Sequence, residues 1–292
     1  MSNSVEEMKS TGPSLVYRFQ RTIEGVIPHL VLLGYAAIVM FPIIMIVVNS
    51  FKNRKAIFGM PFQWPTPETF SLIGYETVIE RSTFHLYFLN SIIVTLVALA
   101  LTLLIGSMAA FALAEYQFPG NALLGLYLAI GIMIPIRLGT VGILNLMVQF
   151  KLVNTLTGLI LIYIAQALPL TIFILSQFFR QVPKDLKDAA RIDGASEYRI
   201  FNLVLPLVRP ALGAIGIFTM IPIWNDLWFP LVISPSSKTA TVTLGVQQFL
   251  GQFVSDWNAV LSSLTMAMVP ILIIYLIFSR QMISSITEGA IK

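Results

Sequence analysis

Six stretches of the sequence, at residues 26–48, 88–113, 122–146, 156–179, 203–223 and 259–279, hold no aspartate or glutamate and at most one arginine each. A helix rises about 1.5 Å per residue, so roughly 20 apolar residues cross the ~30 Å hydrocarbon core of a bilayer. Each stretch meets that length, and in lipid every backbone N–H and C=O must be satisfied within the segment, which selects helix. The chain is therefore expected to be an all-α membrane protein with six transmembrane helices. Composition agrees, because 11% charged residues is less than half of the ~25% that covers a soluble domain. The expected organisation is an N-terminal arm over residues 1–25, a six-span domain over 26–283 and a short tail over 284–292.

An even number of spans returns the two termini to one side. Arg180, Lys184, Lys187, Arg191, Arg199 and Arg209 gather around the connection between the fourth and fifth spans. Basic residues concentrate on the cytoplasmic side of membrane proteins. That connection and both termini are accordingly expected in the cytosol, and the segments 50–87 and 224–258 on the opposite face. The first of these contains "PFQWPTPETF", whose prolines and aromatics predict an ordered cap more than a flexible linker.

Several chemistries lack their residues. The chain has no cysteine, which removes disulfides, zinc-thiolate sites and thiol catalysis. No glycine is followed by lysine, so the phosphate-binding loop Gly-x-x-x-x-Gly-Lys-Ser/Thr is missing. His29 and His85 are the only histidines, and no metal-binding or serine–histidine constellation can be assembled from them. The spans also lack the buried acids on which proton-driven transporters often rely. Neither catalytic residues, metal ligands nor a cofactor of its own are expected, and the net charge of +4 is too small and dispersed to suggest nucleic acid.

Against this background "KDLKDAARIDGASEYRI", residues 184–200, stands out as the most charged stretch. It could be an active site, a solvated connection, or a docking surface for another protein. Pro183 suits the start of a helix, and Asp185 follows in the first turn, where a carboxylate suits the helix dipole. Gly194 is placed to end this helix in a left-handed conformation, and Ser196 to cap the next. The segment thus reads as two short helices, with Ala189, Ala190 and Ala195 giving a low-relief face flanked by charge.

The composite "DAARIDGAS…LPLVRPAL" resembles the Glu-Ala-Ala signature of ABC importer permeases, and "FFRQVPKDLKDAARIDGAS", "SFK", "WND" and "TEGAIK" are similar to phrases of its carbohydrate, maltose-type branch. Asp188 stands where that family usually has glutamate, and Pro206 follows Gly194 by one residue fewer than usual. The resemblance implies a permease subunit of an ATP-driven carbohydrate importer, with a permease for a polyol or glycerol-phosphate-type solute as an alternative and a self-sufficient secondary transporter as a remoter one. It implies two short cytoplasmic coupling helices between spans four and five. It also implies a second homologous permease, two ATPase subunits that bind the ATP, and an extracytoplasmic solute-binding protein, all at a bacterial cytoplasmic membrane. The ATPase contact would fall on Lys184, Asp188, Ala189, Ala190, Asp193, Gly194 and Ala195.

Sugars are bound through hydroxyl hydrogen bonds and aromatic stacking. Candidate pathway residues are Asn90, Asn145, Gln166, Trp224, Asn225 and Asp226. Each has a plainer alternative, since polar residues tie membrane helices together and tryptophan marks the interface. Arg137 and Arg209 are expected to anchor orientation or pair between helices.

Overall fold

The computed structural model describes residues 15–80, 82–251 and 255–290, and among them helices dominate. The one β feature among the described residues is an isolated bridge between Lys52 and Phe70. Two compact units divide the chain, residues 1–71 and 72–292.

The first unit contains α1 (Leu15–Ser50), which includes the apolar candidate span Gly25–Ser50. The expected N-terminal arm lies outside the described residues up to residue 14, and its remainder from Leu15 onward is helical. After α1 the chain folds into a short ordered cap holding α2 (Arg54–Gly59), which Asn53 caps by accepting from the Ala56 N–H at 3.0 Å. Lys52 is buried in this unit. Its Nζ donates to Asn49 Oδ1 at 3.0 Å, to the Met60 carbonyl at 2.9 Å and to the Pro61 carbonyl at 3.3 Å. Burial pushes this ammonium below the usual lysine range.

The second unit opens with α3 (Ile73–Glu80) and α4 (Phe84–Glu115). The third apolar stretch is not one straight helix. It divides into α5 (Asn121–Met133) and α6 (Thr140–Gln149), bent by 88° across a break that holds Pro135 and the 3₁₀ turn Ile136–Gly139. Proline lacks the donor that would continue the helix, and the residue before it is pushed out of helical geometry, which places the break here. Next come α7 (Leu156–Gln181), α8 (Lys184–Ile192) and α9 (Glu197–Val204). A 3₁₀ turn, Leu205–Val208, leads from α9 into α10 (Arg209–Asn225), and together they form one apolar span. The short α11 (Trp228–Ile233) and α12 (Val242–Gln247) precede α13 (Trp257–Ala290), whose helix continues through most of the segment expected as a tail. Among the described residues five helices are long and apolar enough to cross a membrane, and six spans result when the bent α5–α6 pair counts as one.

α4 and α7 form the most extensive helix pair. Close approach depends on Gly106 of α4, where an added Cβ would lie 2.6 Å from the Thr171 methyl of α7. One apolar cluster, Phe111, Phe179, Ile200, Phe201 and Val204, joins the end of this pair to α9. A second, Tyr163, Phe229 and Ile233 with Val94 and Ala98, sits where α11 packs on α7 and α4. These clusters position the two polar regions described next.

Candidate functional site

The first region is the elbow between α7 and α10. Pro183 precedes α8 as its cap residue and Asp185 lies in the first turn. Gly194 adopts φ +77°, a left-handed conformation that costs glycine little and other residues more. The N–H groups of Asp193, Gly194 and Ala195 return to the carbonyls of Ala189, Arg191 and Ala190 at 2.9–3.0 Å, which closes α8. Ser196 holds the extended cap geometry of α9, but its hydroxyl makes no capping bond; its carbonyl accepts from the Arg199 and Ile200 N–H groups instead.

The charges of this elbow are divided between inside and outside. Lys187 is buried and its ammonium pairs with Glu115, the last residue of α4. Arg191 reaches the same carboxylate at 2.8 Å, Asp188 at 2.9 Å and Glu197 of α9 at 3.1 Å. Tyr116 adds a hydrogen bond from its hydroxyl to Glu197. One arginine therefore links the ends of α4, α8 and α9. These bonds hold the Arg191 guanidinium charged, well above its usual range, with Glu197 the leading cause. Burial, followed by the Glu197 carboxylate, pushes the Tyr116 phenol up to about 12.

Of the residues expected at a docking face, Lys184, Asp188, Ala189, Asp193 and Gly194 are exposed, while Ala190 and Ala195 are half-buried against the apolar cluster. Ile192 and Tyr198, at 86% and 74% exposed, are the large apolar side chains presented at the tip. Glu115, Lys187, Arg191 and Glu197 are the residues that the sequence reading missed as a set. Helical spacing links Lys187 to Arg191 (i, i+4), but nothing local points to Glu115, 72 residues earlier in the chain. A cleft of about 740 Å³ borders this network, lined by Glu115, Tyr116, Arg180, Lys184, Lys187 and Asp188 among others.

The second region is a smaller cleft of about 260 Å³ at the break between α5 and α6. Ile136, Arg137, Tyr163, Gln166, Asn225, Asp226 and Phe229 line it. Asp226 organises its floor, accepting from the Tyr163 hydroxyl at 2.9 Å and from the N–H groups of Trp228 and Phe229 at 3.2 and 3.1 Å. Arg137 approaches the same carboxylate at 3.7 Å and lies 6.0 Å from the centre of the Trp228 ring. The 3₁₀ turn after Pro135 is what carries Arg137 to α10.

Three of the six expected pathway residues meet here: Gln166, Asn225 and Asp226. The other three lie elsewhere. Asn90 is buried and gives its amide to the carbonyls of Lys238 and Ala240 at 3.1 and 3.0 Å, pinning a loop. Trp224 is buried, with its indole N–H on the Ala267 carbonyl of α13 at 3.1 Å. Asn145 lies exposed on α6, outside the cleft. Among the described residues no group of histidine, cysteine, aspartate or glutamate could hold a metal ion.

Residues 102–288 match the family described as binding-protein-dependent transport system inner membrane component. The chain is 34% identical over 269 residues to the diacetylchitobiose uptake system permease protein NgcG of Streptomyces coelicolor, covering 91% of this chain and 88% of that protein. It is 32% identical over 280 residues to the arabinooligosaccharides transport system permease protein AraQ of Halalkalibacterium halodurans, covering 94% and 99%. In fold it resembles a chain of a bacterial ABC transporter involved in import of the acidic polysaccharide alginate, with a TM-score of 0.77, 19% identity, and coverage of 89% of this chain and 97% of that one.

Proposed function

The chain belongs to the inner membrane components of binding-protein-dependent transport systems, and we propose from that premise that it is the permease subunit of an ATP-driven carbohydrate importer. In this reading it forms half of a translocation pathway across a bacterial cytoplasmic membrane, and a second homologous permease supplies the other half. Two ATPase subunits bind the ATP, and a solute-binding protein delivers the sugar from the opposite face. Both termini and the α8–α9 elbow lie in the cytosol.

One observation carries the coupling role: the elbow is mechanically continuous with the spans on both sides. Lys187 and Arg191 tie α8 to the end of α4, while α9 runs through a 3₁₀ turn into α10. A partner that moves the exposed face of Lys184, Asp188, Ala189, Asp193 and Gly194, with Ala190 and Ala195 beneath it, would move two spans together. Such rigid-body displacement is how alternating access is driven. The 260 Å³ cleft offers the donors and acceptors of Gln166, Asn225 and Asp226, polar groups that suit sugar hydroxyls.

The test is reconstitution in proteoliposomes with both ATPase subunits, the second permease and the binding protein. Gly194→Val should insert and assemble normally, hydrolyse ATP and fail to accumulate sugar. Gly194→Asn, which tolerates the left-handed conformation, should retain uptake. Normal uptake by Gly194→Val would remove the coupling role, and uptake without any ATPase subunit would replace this reading with a secondary transporter.

A further inference from the structure

The cap that follows α1 folds back along that helix. The ring of Phe62 stacks on that of Phe41 with centroids 6.2 Å apart and planes 22° from parallel. Phe41 lies nine residues before the end of α1, about 13 Å along the axis. The 26-residue span Gly25–Ser50 is about 39 Å long, so centred in a ~30 Å hydrocarbon core it overhangs by only about 4 Å at each end. With the span so centred, the Phe62 ring would sit beside a residue roughly 9 Å inside the hydrocarbon boundary.

The neighbouring side chains have the same character. Phe58, Met60 and Trp64 are exposed along with Phe62, and Phe41 continues into the exposed apolar surface of α1. Arg54 and Lys55, exposed at the start of α2, are long basic side chains that can lay their apolar stems along the cap and keep their charges at the headgroup level. The backbone that carries these side chains is held at the end of α1, where Nζ of Lys52 donates to the Met60 and Pro61 carbonyls and Nδ2 of Asn49 donates to the Pro61 carbonyl at 3.0 Å.

We propose that residues 58–64 form a membrane-dipping anchor, which inserts Phe58, Met60, Phe62 and Trp64 into the lipid leaflet at the C-terminal end of α1 and is pinned there by Lys52. The anchor fixes the height of the cap relative to the bilayer. It stands independently of the substrate and of the coupling role proposed above.

Because the native chain has no cysteine, single nitroxide labels can be placed at Phe62→Cys, Phe41→Cys and Glu68→Cys in the assembled complex in phospholipid nanodiscs. Collision with oxygen and with a water-soluble nickel chelate reads depth at each. Position 62 should match position 41, favouring oxygen and excluding nickel, while exposed Glu68 collides with nickel. Nickel access at position 62 equal to that at position 68 would overturn the anchor, and exclusion of both reagents would overturn it in favour of a protein partner. In a Lys52→Met background, read on inserted complexes, position 62 should shift to the position-68 value. An unchanged depth there would remove Lys52 as the pin.

Discussion

Replacing Glu115 by alanine should release α8 from the end of α4. The Lys187 side chain is only 5% exposed and that of Glu115 11%, so the mutation strands a buried ammonium. Breaking one partner of a buried pair costs about 3–5 kcal/mol. Arg191, a third exposed, keeps Asp188 and Glu197, and such partly solvated pairs contribute at most about 1 kcal/mol each, so its share of the loss is small. If the cost falls on local opening of α8, the open population rises by about 10²- to 4 × 10³-fold, since 1.4 kcal/mol is a factor of ten. Amide hydrogen exchange of residues 184–196 in the assembled complex reads this directly, because the N–H groups of Asp193, Gly194 and Ala195 are held within the elbow. Glu115→Ala combined with Lys187→Met removes both charges and should return exchange to near the native rate, since an apolar replacement of a buried pair is often neutral. Unchanged exchange in Glu115→Ala would mean that Glu115 does not hold α8 to α4. A double variant as fast as the single one would refute the reasoning, because the cost would then not come from an unpaired Lys187.

Asp226→Ala should destabilise the α10–α11 corner by about 1–2 kcal/mol, through loss of its caps on the Trp228 and Phe229 N–H groups, and lower the thermal unfolding temperature of the complex. Arg137→Ala, whose side chain is 69% exposed, should change that temperature little while altering sugar uptake. For Tyr116, the raised pKa means that the folded state favours the neutral phenol. Its contribution to stability is complete below pH 10 and is lost as pH rises through about 12. Ultraviolet tyrosinate titration of the native chain minus Tyr116→Phe should show this one late-titrating phenol, and a difference centred at the ordinary pH of 10 would contradict the hydrogen bond to Glu197.

The sequence was legible where physics is local. A run of 20 apolar residues can satisfy its backbone in lipid only as a helix, so spans near 88–113, 156–179 and 259–279 could be placed to within several residues at most ends. Gly194 was equally readable, because a charged helix ending before a glycine has few alternatives to a left-handed turn. The third stretch was read as a single span, since composition registers length and apolarity but not the 88° bend that Pro135 permits. Asn90 and Asn145 looked the same in sequence as Gln166, yet Asn90 spends its amide on a distant loop and Asn145 lies outside the cleft.

By itself, then, the sequence determined the helical class, the spans and the placing of a polar elbow between the fourth and fifth, because these follow from the solvent and from neighbouring residues. Tertiary structure decided which charges face outward and which hold the elbow to α4. Pairing Glu115 with Lys187, and Arg137 with Asp226, depends on where separate helices bring side chains 72 and 89 positions apart. Those positions are set by packing of apolar faces, such as Gly106 against Thr171, and no local pattern encodes the outcome.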